Sequence, residues 1–263
     1  IGGTGYVLKL LRDGTVRVSG TNADYQLGSQ EDERDYISGY SDLDIQNVMQ
    51  LSSYGNHTLL LTKEGNVYGS GHTMSGVLGV STTDDYGKYS TYFQQIDLKD
   101  IIRISTGSAH SLFLSADGAV YGSGWNGNSE LSLPDNIVRR PSRLPISQPV
   151  VDVLATDQSS YFLLADGTVG VMGGASEEGS FEILSRIEDI TNTREIKDVK
   201  KMTGTTGINV LFLLRDGTVI YPSGATNKEN VFDVSSGHWY IAYLHQDKTV
   251  EITSLSGTTL SST

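Results

Sequence analysis

One motif recurs along this chain at intervals of about fifty residues. Six or seven mostly apolar residues lead to an acidic residue followed by Gly, and a polar or small residue and Val come next. The motif is centred on Asp13-Gly14, Glu64-Gly65, Asp117-Gly118, Asp166-Gly167 and Asp216-Gly217, with an altered sixth copy at Asp247-Lys248. Internal repeats of this length are typical of solenoids and propellers, so they constrain the fold more than any other feature.

Each copy predicts one small antiparallel sheet. An Asp-Gly pair between apolar runs favours a two-residue hairpin turn in which both residues have positive φ. The leading strand is almost wholly apolar, as in Leu59-Leu60-Leu61, which predicts a strand covered on both faces. The return strand ends in small residues, as in Gly69-Ser70-Gly71, which indicates a bulge or a close approach of another backbone. We place these small residues at the narrow axis of a propeller.

The repeats run from end to end, so the sequence predicts an all-β chain with a single β-propeller domain over residues 1–263. The six four-stranded blades are expected at about 1–46, 47–99, 100–149, 150–197, 198–230 and 231–263. The short last interval predicts that the N- and C-terminal strands complete one blade and close the ring. A seventh blade is expected if sequence precedes Ile1. For residues 183–197, a helix and an extended segment both remain open.

Composition excludes several classes of function. The net charge is -12, from 31 acidic and 19 basic residues, which argues against nucleic acid and anionic membranes as partners. No apolar run approaches the ~20 residues of a membrane span. The absence of cysteine excludes thiol catalysis, cysteine-bound zinc and disulfides. Abundant Gly, Ser, Thr, Asn and Tyr favour a bacterial extracellular or cell-surface location and leave the cytoplasm open.

No residue set demands catalysis, a metal or a cofactor. His57 and His110 hold the same place in two repeats, which predicts a structural hydrogen bond that ties a blade turn. The other three histidines lack the spacing of zinc ligands. Each hairpin has a single acid, whereas calcium needs six or more oxygens. The glycine pattern of residues 122–127 opens no helix that would bind phosphate. We therefore predict no enzyme and no cofactor.

Two long loops, at residues 29–46 and 83–93, combine acidic and aromatic residues. Tyr beside acids on exposed loops is typical of binding surfaces, because Tyr supplies rigid contact area. The equally open alternative is that these Tyr residues pack down and anchor the loops. The candidate partner-binding residues are Glu31, Asp32, Asp35, Tyr36, Tyr40, Asp84, Asp85, Tyr86, Tyr89, Tyr92 and Trp125.

The second and third copies carry a more specific pattern. Gly55-Asn-His57, Glu64-Gly65 and Ser70-Gly71 recur in the third copy as Gly107-Ser-Ala-His110, Asp117-Gly118 and Ser123-Gly124, and the first copy closes with Gln26-Leu27-Gly28. This pattern resembles the regulator of chromosome condensation repeat. The resemblance implies a β-propeller with four-stranded blades, usually seven. The chain departs from the family in showing six countable blades and a short final one, and in lacking the Trp often found before the Ser-Gly position.

The resemblance also implies a function. We expect a non-enzymatic protein-interaction propeller that binds a protein partner through loops on one face. The acidic loops predict a partner with a basic surface. We expect a monomeric domain within a larger bacterial surface or secreted protein. Two alternatives stay open: a guanine-nucleotide exchange factor for a small GTPase, like the family's namesake, and a proteinaceous enzyme inhibitor, like related bacterial propellers.

Overall fold

A computed structural model describes residues 1–3, 5–28, 35–80, 89–174, 176, 179–184, 186–188, 193–204, 210–221, 228–237, 239–254 and 258–262. Its regular secondary structure is β-strand throughout these ranges, except for one short 3-10 helix at Met74–Gly76. The strands form consecutive antiparallel sheets. The predicted all-β class is therefore confirmed.

Four blades of four strands occupy the first two thirds of the chain. The first contains β1 (Gly2–Gly3), β2 (Tyr6–Leu10), β3 (Val16–Thr21) and β4 (Tyr36–Asp42). The second contains β5 (Val48–Tyr54), β6 (His57–Thr62), β7 (Val67–His72) and β8 (Tyr89–Ile96). The third contains β9 (Ile101–Thr106), β10 (His110–Ser115), β11 (Val120–Trp125) and β12 (Ile137–Arg143). The fourth contains β13 (Val150–Ala155), β14 (Ser159–Leu164), β15 (Val169–Gly173) and β16 (Glu182–Ile183).

The last two blades differ from each other in their outer strand. A two-stranded sheet of β17 (Arg186–Glu188) and β18 (Thr193–Glu195) precedes them, so the described part of 183–197 is extended and not helical. The fifth blade contains β19 (Val199–Thr203), β20 (Leu211–Leu214), β21 (Val219–Ile220) and an isolated bridge from Val219 to Lys228. The sixth contains β22 (Val231–Ser236), β23 (Tyr240–His245), β24 (Val250–Ser254) and β25 (Thr259–Ser262). The predicted six-bladed β-propeller is confirmed.

The core lies between the blades. In β6 every residue is buried, because its side chains alternate between two neighbouring sheets. Leu60 packs with Leu8 and Val16 of the first blade, whereas Leu59 and Leu61 pack towards the third blade. The strands β10 and β14 are buried along their whole length in the same way. The prediction of a second strand covered on both faces is confirmed for β6, β10 and β14 and is wrong for β2 and β23, which are only partly buried.

The hairpins form at the predicted places, with one more residue in the turn than predicted. Thr62 and Asn66 close the second hairpin through the Thr62 N–H and the Asn66 carbonyl at 2.9 Å, which leaves three residues between them. Only Gly65 has positive φ, at 79°, while Glu64 does not. A type I turn followed by a left-handed Gly produces this geometry. The acidic residue serves the turn, since the carboxylate of Asp13 accepts the backbone N–H of Thr15 at 3.0 Å.

Four of the five hairpin Gly residues that precede another blade also join their blade to the next one, and Gly118 does not. The Gly65 carbonyl accepts the N–H of Ile101, the first residue of the third blade, at 3.3 Å. A Cβ on Gly65 would lie 3.1 Å from the Cα of Asp100, so the approach of the two backbones requires Gly. The same link joins Val48 to Gly14, Val199 to Gly167 and Val231 to Gly217.

The glycines that end the return strands lie at bulges, as predicted, but away from the axis. The pairing of β7 with β8 shifts register between Gly69 and Gly71. Gly71 has φ of 109°, and a Cβ there would lie 2.3 Å from the Asn56 carbonyl oxygen. The placement at the axis is wrong, because β7 is the third strand of its sheet and the first strands of neighbouring blades face each other.

The prediction that the two chain ends complete one blade is wrong. The strand β1 belongs to the first sheet and β25 to the last, and each sheet consists of consecutive strands. Thr253 pairs with Thr259, so the sixth blade has its own outer strand. The short interval before Asp247 arises in the fifth blade, where the isolated bridge to Lys228 takes the place of an outer strand.

The first and sixth blades each have one face that is less buried than the same face in the other blades. The first Val of the return strand is 0–2% exposed in blades one to five, whereas Val250 in the sixth is 37% exposed. On the other side, Lys9 is exposed where five other blades bury Leu60, Phe113, Phe162, Phe212 and Tyr243. Among the described residues, five apolar clusters join consecutive blades, and none joins the sixth to the first.

This difference in burial predicts that the same substitution lowers the free energy of unfolding by different amounts in different blades. Val67→Ala should lower the free energy of unfolding by about 2 kcal/mol, because it leaves a cavity in a closed core. The matched Val250→Ala should cost less than about 0.5 kcal/mol, because the side chain is partly in solvent. Urea unfolding followed by circular dichroism measures both. Equal costs would show that the Val250 face is as well covered as the others.

Candidate functional site

The two ends of the blades differ in their connections. One end carries the turns between first and second strands, such as Tyr54–His57, and the long connections between third and fourth strands, such as His72–Tyr89. We call this end the loop face. The other end, the hairpin face, carries the Asp-Gly hairpins and the connections between blades, as the bond between the Lys63 N–H and the Asn47 carbonyl shows.

Three of the candidate aromatic residues lie at the loop face, two of them at equivalent positions. Tyr36 begins β4 opposite Thr21, and Tyr89 begins β8 opposite His72. Trp125 ends β11 opposite Ile137, one strand inward. These three side chains are 58%, 38% and 37% exposed, respectively. The structure thus brings one candidate aromatic residue from each of the first three blades to the same end of the propeller, and Asp35 precedes Tyr36 there.

The other candidates are placed differently. Tyr40 and Tyr92 lie within the outer strands β4 and β8 and are 58% and 45% exposed, and Tyr40 lines a shallow pocket together with Lys9 and Met49. They do not join the loop-face residues. Five candidates lie outside the described residues: Glu31, Asp32, Asp84, Asp85 and Tyr86.

Tyr89 and Trp125 each pack against neighbouring residues and are also partly exposed. The Tyr89 ring lies 5.7 Å from the ring of Tyr25 and 5.3 Å from that of His72. Trp125 packs over Gly127, where a Cβ would lie 2.3 Å from the indole. Both residues still expose more than a third of their surface. The packing fixes the rings in place, and the remaining surface is available for contact.

Sequence reasoning missed two exposed aromatic residues beside the channel. Trp239, in the turn between β22 and β23, and Tyr240, the first residue of β23, are 68% and 54% exposed. They line an axial cavity of about 1210 Å³ together with Tyr54. The Tyr54 hydroxyl donates a hydrogen bond to Asp157 in the corresponding turn of the fourth blade. A signal was present, since Tyr240 stands seven residues before its turn, where two other repeats have a buried His.

The channel wall carries alternating charges. Arg103 and Asp152 approach to 3.9 Å, and Lys201 and Asp233 form an ion pair at 2.7 Å. Each pair joins the first strands of adjacent blades. Burial raises the pKa of Asp152, while Arg103 and Lys201 oppose that shift. These charged side chains therefore form ion pairs between blades. Among the residues described, no group of three or more potential metal-binding side chains occurs.

The recurring histidines also link blades. His57 Nε2 lies 3.3 Å from Ser111 Oγ, and His110 Nε2 lies 3.0 Å from Ser160 Oγ. The structural role is as predicted, although the bond ties two blades and not a blade turn. Burial lowers the pKa of His57 to about 3 and that of His110 to about 4, so both imidazoles are neutral near pH 7.

Comparison with known proteins places this architecture in a class. A family model for the Regulator of chromosome condensation (RCC1) repeat matches residues 101–130, within the third blade. The mouse RCC1-like G exchanging factor-like protein is 30% identical over 199 residues, which cover 66% of this chain and 43% of that protein. The human Regulator of chromosome condensation is 28% identical and is matched over 57% of this chain and 35% of its own length. The chain thus spans less than half of these curated relatives.

Solved structures show the same fold. Human WBSCR16 superimposes with a TM-score of 0.78 at 20% identity, over 96% of this chain and 75% of that one. Prp20p from Saccharomyces cerevisiae gives a TM-score of 0.58 at 25% identity, over 65% of this chain and 44% of that one. The chain is a β-propeller built from repeats. Its repeats are similar to the regulator of chromosome condensation repeat, which the family model matches in the third blade. No helix in the described part is long and apolar enough to cross a membrane.

The buried histidines predict a pH dependence of stability. Below the ordinary pKa of 6.5 the unfolded chain takes up protons, whereas the folded chain keeps both rings neutral. Stability is therefore complete above pH 6.5 and is lost as the pH falls towards the folded pKa values. Each His should account for about 2 kcal/mol of loss between pH 7 and pH 5.

Substitution of one ring tests this cause. In His110→Gln the fall in unfolding free energy between pH 7 and pH 5 should be about 2 kcal/mol smaller than in the unmodified chain. Gln retains a hydrogen-bonding group for Ser160. The measurement is urea unfolding at both pH values. An unchanged pH dependence would assign the acid sensitivity to other groups.

Proposed function

We propose that this chain is a non-enzymatic protein-interaction propeller that binds its partner through the loop face. The observation that carries the proposal is the set of large aromatic side chains exposed at one end of four blades. They are Tyr36, Tyr89, Trp125, Trp239 and Tyr240. Exposed Tyr and Trp are enriched at protein interfaces and often dominate their energetics.

The chemistry of the remaining polar groups supports binding over catalysis. The two recurring histidines are buried and hydrogen-bonded to Ser hydroxyls. The channel carboxylates Asp152 and Asp233 face cationic partners, and Asp157 accepts the hydrogen bond from Tyr54. Groups engaged in this way hold the ring together and are poorly placed to act on a substrate.

The charge of the chain favours a basic partner. The net charge is -12, and the sequence places Glu31, Asp32, Asp84 and Asp85 in the connections that lead to Tyr36 and Tyr89. Complementary charge accelerates association and selects among partners. The similar yeast protein Prp20p was described for its binding to Gsp1p and histones, both of them proteins.

Nucleotide exchange on a small GTPase is the second candidate. It is favoured by the 30% identity to the mouse RCC1-like G exchanging factor-like protein. Incubation with a panel of small GTPases loaded with fluorescent GDP tests it. Accelerated release of GDP from one member supports exchange activity, and a flat response across the panel contradicts it.

Site-specific photo-crosslinking tests the leading proposal. A photoreactive amino acid at Tyr36, Trp125 or Trp239 should yield adducts of the same partner from a lysate of the source cells. The same probe at Tyr40, which is equally exposed within the outer strand β4, should yield none. Adducts from Tyr40 alone, or from no position, would contradict binding at the loop face.

Affinity for the captured partner provides the quantitative prediction. Trp125→Ala combined with Trp239→Ala should weaken binding at least tenfold, because truncation of an aromatic anchor often costs more than about 1.4 kcal/mol. The control Tyr40→Ala should change the Kd less than twofold. Isothermal titration calorimetry with the purified partner measures both values. Equal losses in both variants would contradict the assignment.

A further inference from the structure

The first strand carries a bulge at the same place in five blades. In β5, Val48 pairs with Thr62 and Gln50 with Leu61, so Met49 is the extra residue. The same shift leaves Ile102, Val151, Lys200 and Phe232 as extra residues in β9, β13, β19 and β22. Bulges re-aim side chains and recur at functional sites.

The bulge turns a large side chain out of the core. The residue just before it is buried in every case, with 1–4% exposure from Val48 to Val231. The extra residues themselves are exposed: Met49 by 44%, Ile102 by 38%, Val151 by 46% and Phe232 by 57%. These side chains contribute little to the interblade cores. A small polar residue would therefore fit at each of these positions.

These residues lie at the hairpin-face end of the first strands, and Met49 lines the axial cavity. Each follows the first residue of its blade, and in four of the five blades a link from that residue to the preceding hairpin Gly holds it at that end. We call Met49, Ile102, Val151, Lys200 and Phe232 the bulge ring. The Lys200 ammonium lies 4.9 Å from the centre of the Phe232 ring and donates to the Phe232 carbonyl at 3.1 Å. Its alkyl stem therefore extends the apolar surface.

The rim around the bulge ring is acidic. Six hairpins place one exposed carboxylate each at this end of the molecule. A backbone hydrogen bond from Thr15 lowers the pKa of Asp13, and hydrogen bonds from neighbouring hydroxyls lower the pKa values of Glu64, Asp117, Asp166 and Asp247. The hairpins and blade connections together hold more Asp and Glu than Lys and Arg.

We propose that the bulge ring is a second docking surface, which receives an apolar side chain flanked by Lys or Arg in a partner protein. An apolar centre with a polar rim is the usual anatomy of a protein interface. The acidic rim selects a basic partner and disfavours a second copy of this chain, whose rim carries the same charge. The site lies at the opposite end from the loop face, so it stands independently of the proposed function.

A defined peptide probe tests the proposal on the intact chain. The probe is a fluorescein-labelled peptide with a central Phe-Leu pair between two Lys-Lys pairs, and its binding is followed by fluorescence anisotropy. Ile102→Ser combined with Phe232→Ser should weaken binding at least tenfold. The matched loop-face variant Tyr36→Ser combined with Trp125→Ser should change the Kd less than twofold. A control peptide with Ser-Ser in place of Phe-Leu should bind at least tenfold more weakly.

Other outcomes overturn the proposal. Undetectable peptide binding, or equal losses in the two double variants, would remove the bulge ring as a docking site. Sedimentation that shows a dimer dissolved by Ile102→Ser and Phe232→Ser would assign the ring to self-association. Binding to vesicles of anionic lipid that the same variant abolishes would assign it to a membrane surface. Exposure of both side chains predicts an unchanged circular dichroism spectrum, which verifies that the variant is folded.

Discussion

The propeller depends on one backbone hydrogen bond that is repeated at four of the five junctions between consecutive blades, the exception being Gly118 and Val150. The N–H of a blade's first residue reaches the carbonyl of the preceding hairpin Gly, as in Val48 to Gly14 and Ile101 to Gly65. In these four cases the residue before the first strand adopts positive φ, with values of 58° at Asn47 and 55° at Asp100. Because only Gly permits so close an approach in the hairpin, the acidic residue and Gly of the repeat determine how each blade meets the next.

The parts of the chain that form this link differ from the parts whose length and sequence vary between blades. The hairpin face repeats the same bulge in five blades, so an exposed position recurs at that end of each of their first strands. The loop face carries connections of different length and sequence, and its aromatic residues differ between blades. Two surfaces of different character therefore lie at opposite ends of one rigid core. The sixth and first blades stand apart, since Val250 and Lys9 lie where other blades have buried apolar residues.

The sequence predicts the repeating features well and the exceptions poorly. Hairpin positions and the six blades follow from local patterns in each repeat, and buried second strands follow in the middle blades. The turn length did not follow, because Asp-Gly suits both a two-residue and a three-residue hairpin. The interval before Asp247 could not show whether the fifth or the sixth blade was short. Tyr36 and Tyr40 look alike in sequence, yet the strand β4 places one at the loop face and the other further along its length. The bulges left no local signal, since they depend on pairing with the next strand.

Native-state hydrogen exchange measured residue by residue tests the central claim most directly. The interblade links predict that the amides of Val48, Ile101, Val199 and Val231 exchange as slowly as those in the middle of the second strands, with opening free energies near that of global unfolding. Exchange of these four amides at the rate of exposed turns, while the second strands stay protected, would contradict the account. That result would mean that apolar packing alone joins the blades.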